Sequence, residues 1–197
     1  GNWFRSEVKE MEHRYIPMDK MEAREDGGDL YIEGYFAVFN SVYELWPGAT
    51  ESIAPGAFDD SVSDDVRALY NHNTDLVLGR TSAGTMEIKQ DSRGLWGRIR
   101  INRDDSDAMN AYARIRRGDI TGCSFGFDIA DQETEYREDG TVHWTIKRVS
   151  PLYEISPCTF PAYQDTTVSA RKHDLEEAKR KRTKLWKRAM FEKLKTC

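Results

Sequence analysis

The chain has 197 residues, 39% of them hydrophobic and 32% charged, with a formal net charge of −5; this suits one globular domain with an extension and a charge-rich surface. No run approaches the roughly 18 apolar residues of a membrane span, and segment 1–10 carries Arg5, Glu7, Lys9 and Glu10 directly after Trp3-Phe4, unlike the apolar stretch of a secretory signal. Cys123, Cys158 and Cys197 share no C-x-x-C spacing, which argues against a disulfide framework or a structural zinc and for a reducing cytoplasm.

In chain order, 13–18 reads as a short strand and 25–29, rich in Asp and Gly, as a tight turn. The β-rich run 30–38 follows, with Gly34 as a candidate bulge. Pro55 predicts a helix start over 55–60. Residues 66–70 form a strand running into Asn71-His72-Asn73. Strands over 85–90 and 95–101 are joined by hairpin chemistry at 91–94. Asp104 to Asp107 supply caps for a helix through Met109, Tyr112, Ala113 and Ile115, ended by Gly118-Asp119. Strands follow over 124–129, 133–137 and 142–149, with one or two more in 151–160. Roughly eight strands and two helices without βαβ alternation predict a mostly β fold with peripheral helices, an antiparallel or mixed barrel, closed or partly open. The chain's Tyr, Phe and Trp total 22 residues, enough to anchor such a core.

From residue 171 onward the charge changes. Segment 171–197 holds 11 Lys/Arg against 4 Asp/Glu, and 1–170 holds 18 against 30. Leu175, Ala178, Leu185, Ala189 and Leu194 recur at helical spacing, so the chain divides into a β body, 12–170, and a basic amphipathic helical tail, 171–197.

The candidate chemistry lies in three places. Gly122-Cys123-Ser124-Phe125-Gly126 matches G-x-S-x-G, but no helical pattern follows it, so the strand-to-helix elbow of α/β-hydrolases is not expected. Its glycines would let a ligand backbone approach Ser124 closely; the pattern alone also describes a glycine-flexed edge strand. His72, just past a strand, has the setting of a general base, or of a turn histidine bonded to local backbone; His13 and His143 alternate within strands and His173 opens the tail. Glu154 lies among apolar and aromatic neighbours and either orients an imidazole or faces outward, with Glu33 and Asp128 as competing carboxylates. Arg80 and Arg148 are candidates to organise an oxyanion site.

Taken together, Asn71-His72-Asn73, Gly122 to Phe127 and the segment from Glu154 through Pro161-Ala162, in this order, resemble the caudovirus prohead protease family. The 30–38 strand and Pro55-Gly56-Ala57-Phe58 add to the likeness, which covers roughly 12–170. The resemblance implies a serine endopeptidase with Ser124 as nucleophile, His72 as base and Glu154 as acidic partner. Related viral proteases use a second histidine as third member, and His143 is the body histidine read as free for that role. It implies a fold like the herpesvirus assembly proteases, a small β-barrel ringed by helices. The implied substrate is the scaffolding segment of the major capsid protein, or a separate scaffold, together with the enzyme itself, inside the assembling procapsid in the host cytoplasm. Self-association counts among its contacts; no cofactor, metal, membrane or nucleic-acid partner is expected. The rival readings are a non-enzymatic capsid or scaffold component and a general esterase.

Overall fold

The computed structural model describes residues 11–17, 21–160 and 164–195, with side chains except at 15–17, 164–170 and 193–195. Segment 1–10, Met18, Pro161-Ala162, Cys197 and the Leu194 side chain lie outside the described residues. Two units are distinguished, Gly1–Ala162 and Tyr163–Cys197.

In the first unit the strands are β1 (Glu12–Pro17), β2 (Glu22–Asp26), β3 (Asp29–Val38), β4 (Tyr43–Trp46), β5 (Ala49–Ile53), β6 (Arg67–Tyr70), β7 (Asn73–Arg80), β8 (Met86–Gln90) and β9 (Gly94–Ile101). Helix α1 (Ser106–Arg117) follows, then β10 (Gly122–Tyr136) and β11 (Val142–Cys158). One sheet runs β1-β10-β11-β5-β4, with β6 beside β11 and β7 beside β6; the other runs β2-β3-β9-β8. The mixed character expected from sequence is present, because β11 pairs antiparallel with β10 but parallel with β5 and β6. The sheets do not close into a barrel. The edge of β11 is shared, its 142–146 stretch taking β5 and its 154–155 stretch taking β6, so the ladder branches instead of continuing around.

Alternation builds the core. In β3, Leu30, Ile32, Phe36 and Ala37 are buried while Tyr31, Glu33 and Tyr35 are half-buried on the other face. The bulge in β3 falls between Tyr35 and Ala37, not at Gly34, which pairs in register with Gly97. Phe58 meets Phe125 edge-to-face at 5.7 Å and Phe125 stacks on Phe127 at 4.6 Å between ring centroids, and α1 adds Ala108, Ala111, Tyr112 and Ile115 at i, i+3, i+4, i+7 spacing. The α1 caps are those the sequence predicts: Asp105 accepts from the Asp107 and Ala108 amides, and Gly118 adopts φ 87.

Two further expectations from sequence are corrected. The 55–60 stretch is a series of turns, not a helix. Its bonds run back three residues, as from Ala57 N to Ala54 O and from Asp59 N to Gly56 O, and Gly56 at φ 82 breaks any helix at its second residue. The short strands read over 124–160 are two long ones, β10 and β11, forming a single bulged hairpin.

The second unit is helix α2 (Gln164–Lys195), which starts seven residues before the basic run from Arg171. It exposes Leu185, Trp186, Met190 and Phe191. No helix among the described residues is long and apolar enough to cross a membrane.

Candidate active site

Three strands set the site. Glu154, Ser156 and Cys158 recur every second residue of β11 and so share one face. Their register partners on β10 are Gly126, Ser124 and Gly122, and those on β1 are His13, Tyr15 and Pro17, from Gly126 to Gly122. Directly opposite residues of an antiparallel pair point to the same side. His13, Ser124, Glu154, Ser156 and Cys158 therefore share a face, and Phe125 and Ile155 point the other way, into the core.

His72 reaches this face from the β6–β7 turn. Tyr70 pairs with Asn73, leaving a two-residue loop of Asn71 at φ 53 and His72 at φ 59, the positive-φ pair of a type I′ hairpin. Asparagine tolerates this conformation; histidine is held in it at a cost of about 1–3 kcal/mol. The loop is tied down over β11. Asn71 Nδ2 donates to Thr159 Oγ1 at 3.2 Å, Thr159 N donates to Asn71 Oδ1 at 2.8 Å, and Asn71 N donates to Pro157 O at 3.0 Å. The His72 amide donates to Ser156 Oγ at 3.3 Å.

So held, the imidazole meets Glu154, with Nδ1 2.6 Å from Oε1. The carboxylate is 4% exposed, and its second oxygen accepts from Ser156 Oγ at 2.5 Å. Because a carboxylate offers only acceptors, a neutral His72 ring bonds to it through Nδ1–H, the tautomer that leaves Nε2 with a lone pair. That lone pair faces the Cys158 thiol at 3.6 Å. Burial, and then the nearby Glu154 carboxylate, push the Cys158 thiol up to about 12, so it remains a neutral thiol near pH 7.

Ser124 is fully buried, and its hydroxyl has no hydrogen-bond partner among the described residues. An unmet buried hydroxyl costs about 1–3 kcal/mol. Of the two serines on this face, Ser156 is committed to Glu154 and the His72 amide, and Ser124 is uncommitted. The hydroxyl is not bonded to His72, so the structure brings His72 and Glu154 into contact and Ser124 onto their face without closing the last link.

Gly126 acquires a role different from close approach by a ligand. A Cβ there would lie 2.7 Å from Glu154 Oε1 and 2.6 Å from Met11 Sδ, so the second glycine of G-x-S-x-G makes room for the carboxylate. The competing candidates lie elsewhere. Glu33, in the other sheet, pairs with Arg24 at 2.7 Å and Arg98 at 3.2 Å. Asp128 accepts from Tyr153 Oη at 3.0 Å. His143 is not free for a catalytic role. It lies eleven residues along β11 from Glu154 with its ring nitrogens against Thr50 Oγ1 at 2.7 Å and Ser52 Oγ at 2.9 Å. Arg80 is committed to Asp65 and Arg148 to Asp60. His173 belongs to α2.

The second histidine beside the pair is His13, which sequence reading set aside as a strand residue. Its Nε2 lies 3.6 Å from Glu154 Oε1, and its ring centroid is 4.3 Å from that of His72 at 69°. Burial, then the neighbouring His72, hold its pKa below the ordinary 6.5.

The model of the caudovirus prohead serine proteases matches residues 18–181. The chain belongs to that family. Among relatives of this prohead protease family member, the prohead protease of Enterobacteria phage HK97 is 30% identical over 151 residues, which is 75% of this chain and 62% of that protein; the chain thus spans less than two thirds of that relative's length. Among solved structures, the bacteriophage T4 capsid assembly protease gp21 aligns with a TM-score of 0.41 at 12% identity, over 76% of this chain and 94% of that one.

Proposed function

We propose that this chain is a serine endopeptidase that cleaves the scaffolding segment of the major capsid protein, and itself, during procapsid maturation. Family membership supports the reaction class, and one observation carries the residue assignment: the buried, unpartnered Ser124 hydroxyl shares a face with a His72–Glu154 pair at 2.6 Å. In this reading Ser124 attacks the peptide carbonyl while His72 Nε2 takes its proton. Glu154 stabilises the imidazolium through Nδ1–H, and Ser156 keeps that carboxylate in place. His72 then protonates the leaving amine, and water releases the acyl group. For this the Ser124 Oγ must meet Nε2 and become accessible, so a conformational step precedes chemistry.

Cys158 is a competing nucleophile, because its Sγ already faces Nε2. Its raised pKa argues against it, since a thiolate is the reactive form. A fluorophosphonate probe with mass spectrometry separates the readings. Labelling at Ser124 that His72→Ala abolishes and Cys158→Ser preserves is the expected result. Absence of label, with capsid precursor left intact, identifies a non-enzymatic assembly component; efficient turnover of small acyl esters alone identifies an esterase.

The domain division follows the chemistry: 12–170 as the protease and 171–197 as a basic tail that docks onto acidic scaffold or the shell interior. The site of action is then the inside of the assembling procapsid in the host cytoplasm.

A further inference from the structure

His13 has no place in the reaction just described, yet it stands against its acid. Ligand atoms of His13, His72 and Glu154 all lie within 4.8 Å of one another. Two imidazoles and one carboxylate form the donor set that borderline dications select, three protein ligands with a fourth position open. The two imidazole side chains are 33% and 20% exposed, so the cluster is reachable from solvent.

We propose that His13 Nε2, His72 Nδ1 and Glu154 Oε1 form an inhibitory binding site for a transition-metal dication of the Zn²⁺ class. With metal–ligand bonds of about 2.0–2.2 Å, tetrahedral ligands stand roughly 3.4 Å apart. The His13–Glu154 separation of 3.6 Å already fits. The His72–Glu154 separation of 2.6 Å is that of a hydrogen bond and must open. The metal takes the position of the Nδ1 proton, and that proton moves to Nε2, the other ring nitrogen. Nε2 then becomes a donor and no longer accepts the Ser124 proton. Cys158 faces Nε2, the nitrogen the metal does not use, so it is not a ligand.

The inhibitory half of this proposal rests on the Ser124–His72–Glu154 reading; the binding half does not. Binding is therefore measured on the full chain carrying Ser124→Ala, by calorimetry with Zn²⁺ and by the visible spectrum with Co²⁺. The expected result is one ion per chain, tetrahedral cobalt bands and no thiolate charge-transfer band. His13→Ala in that background weakens binding at least about 10- to 100-fold, and Cys158→Ser leaves it unchanged. No binding at submillimolar metal, or binding that His13→Ala does not weaken, overturns the site. In the unsubstituted chain Zn²⁺ suppresses cleavage of capsid precursor, chelation restores it, and His13→Ala shifts the inhibitory concentration upward by the same factor. Undiminished cleavage at saturating metal overturns the regulatory claim. Cleavage by the Ser124→Ala chain overturns the serine reading instead and leaves the binding result standing.

Discussion

Gly126 shows how a single missing atom shapes this site. A methyl group at that position would lie 2.7 Å from Glu154 Oε1 and 2.6 Å from Met11 Sδ. The Met11 thioether can swing aside, but the carboxylate is held by His72 and Ser156. Gly126→Ala is therefore expected to cost about 1–3 kcal/mol of stability, a fall of roughly 2–12 °C in Tm. It should lower kcat/KM at a temperature where the variant is still folded, measured on capsid precursor. A second prediction concerns His13, whose folded pKa lies below 6.5 because of burial and His72, with Glu154, Arg14 and Glu12 also acting on it. A depressed histidine pKa means the unfolded chain binds the extra proton first. Its contribution to stability is thus complete above the unfolded value and lost as pH falls through the folded one. Thermal melts between about pH 7.5 and 5.5 should show a smaller loss for His13→Gln than for the unsubstituted chain; an equal loss refutes it. At this scale the sequence pointed to His72 and Glu154, which the fold brings together, and to Ser124 on their face. It did not reveal Ser156, Cys158 or His13. His13 is 141 residues from Glu154, and only the β1–β10–β11 register joins them, with no local pattern to mark it.

Among the elements, the β6–β7 loop and the end of β11 act as one fixture. Asn71 supplies both the left-handed backbone and a pair of side-chain bonds to Thr159. Asn71→Ala removes both, at about 1–3 kcal/mol, or a Tm fall of roughly 2–12 °C. With His72 then less well held over Glu154, kcat should fall more than KM rises; a change in KM alone contradicts this. Elements with clean alternation were legible, as in β3 and β9, and so were the capped ends of α1. Others hid for physical reasons. β5 buries Glu51, which breaks any apolar alternation, because Arg14 and Tyr43 bond to it. β7 is exposed over its first three residues. The β10–β11 hairpin carries several register shifts between Gly126 and Gln132, and each shift resets the period of two, so one hairpin reads as several short strands.

Over the whole molecule, charge is divided more sharply than the fold. Residues 171–195 of the basic segment lie within α2, whose exposed Leu185, Trp186, Met190 and Phe191 sit among lysines and arginines, and the remainder of the chain is acidic. The barrel expected from strand count did not close because strand count carries no information about which edge takes which neighbour; β11 accepts two parallel partners on one edge. The central claim is that Ser124, served by His72 and Glu154, cuts capsid precursor. The direct measurement is co-expression of this chain with its major capsid protein, comparing unsubstituted and Ser124→Ala forms by gel and mass spectrometry of assembled shells. Shells should assemble with Ser124→Ala but keep full-length precursor, and the unsubstituted chain should yield trimmed capsid protein. Normal trimming by the Ser124→Ala chain would contradict the claim.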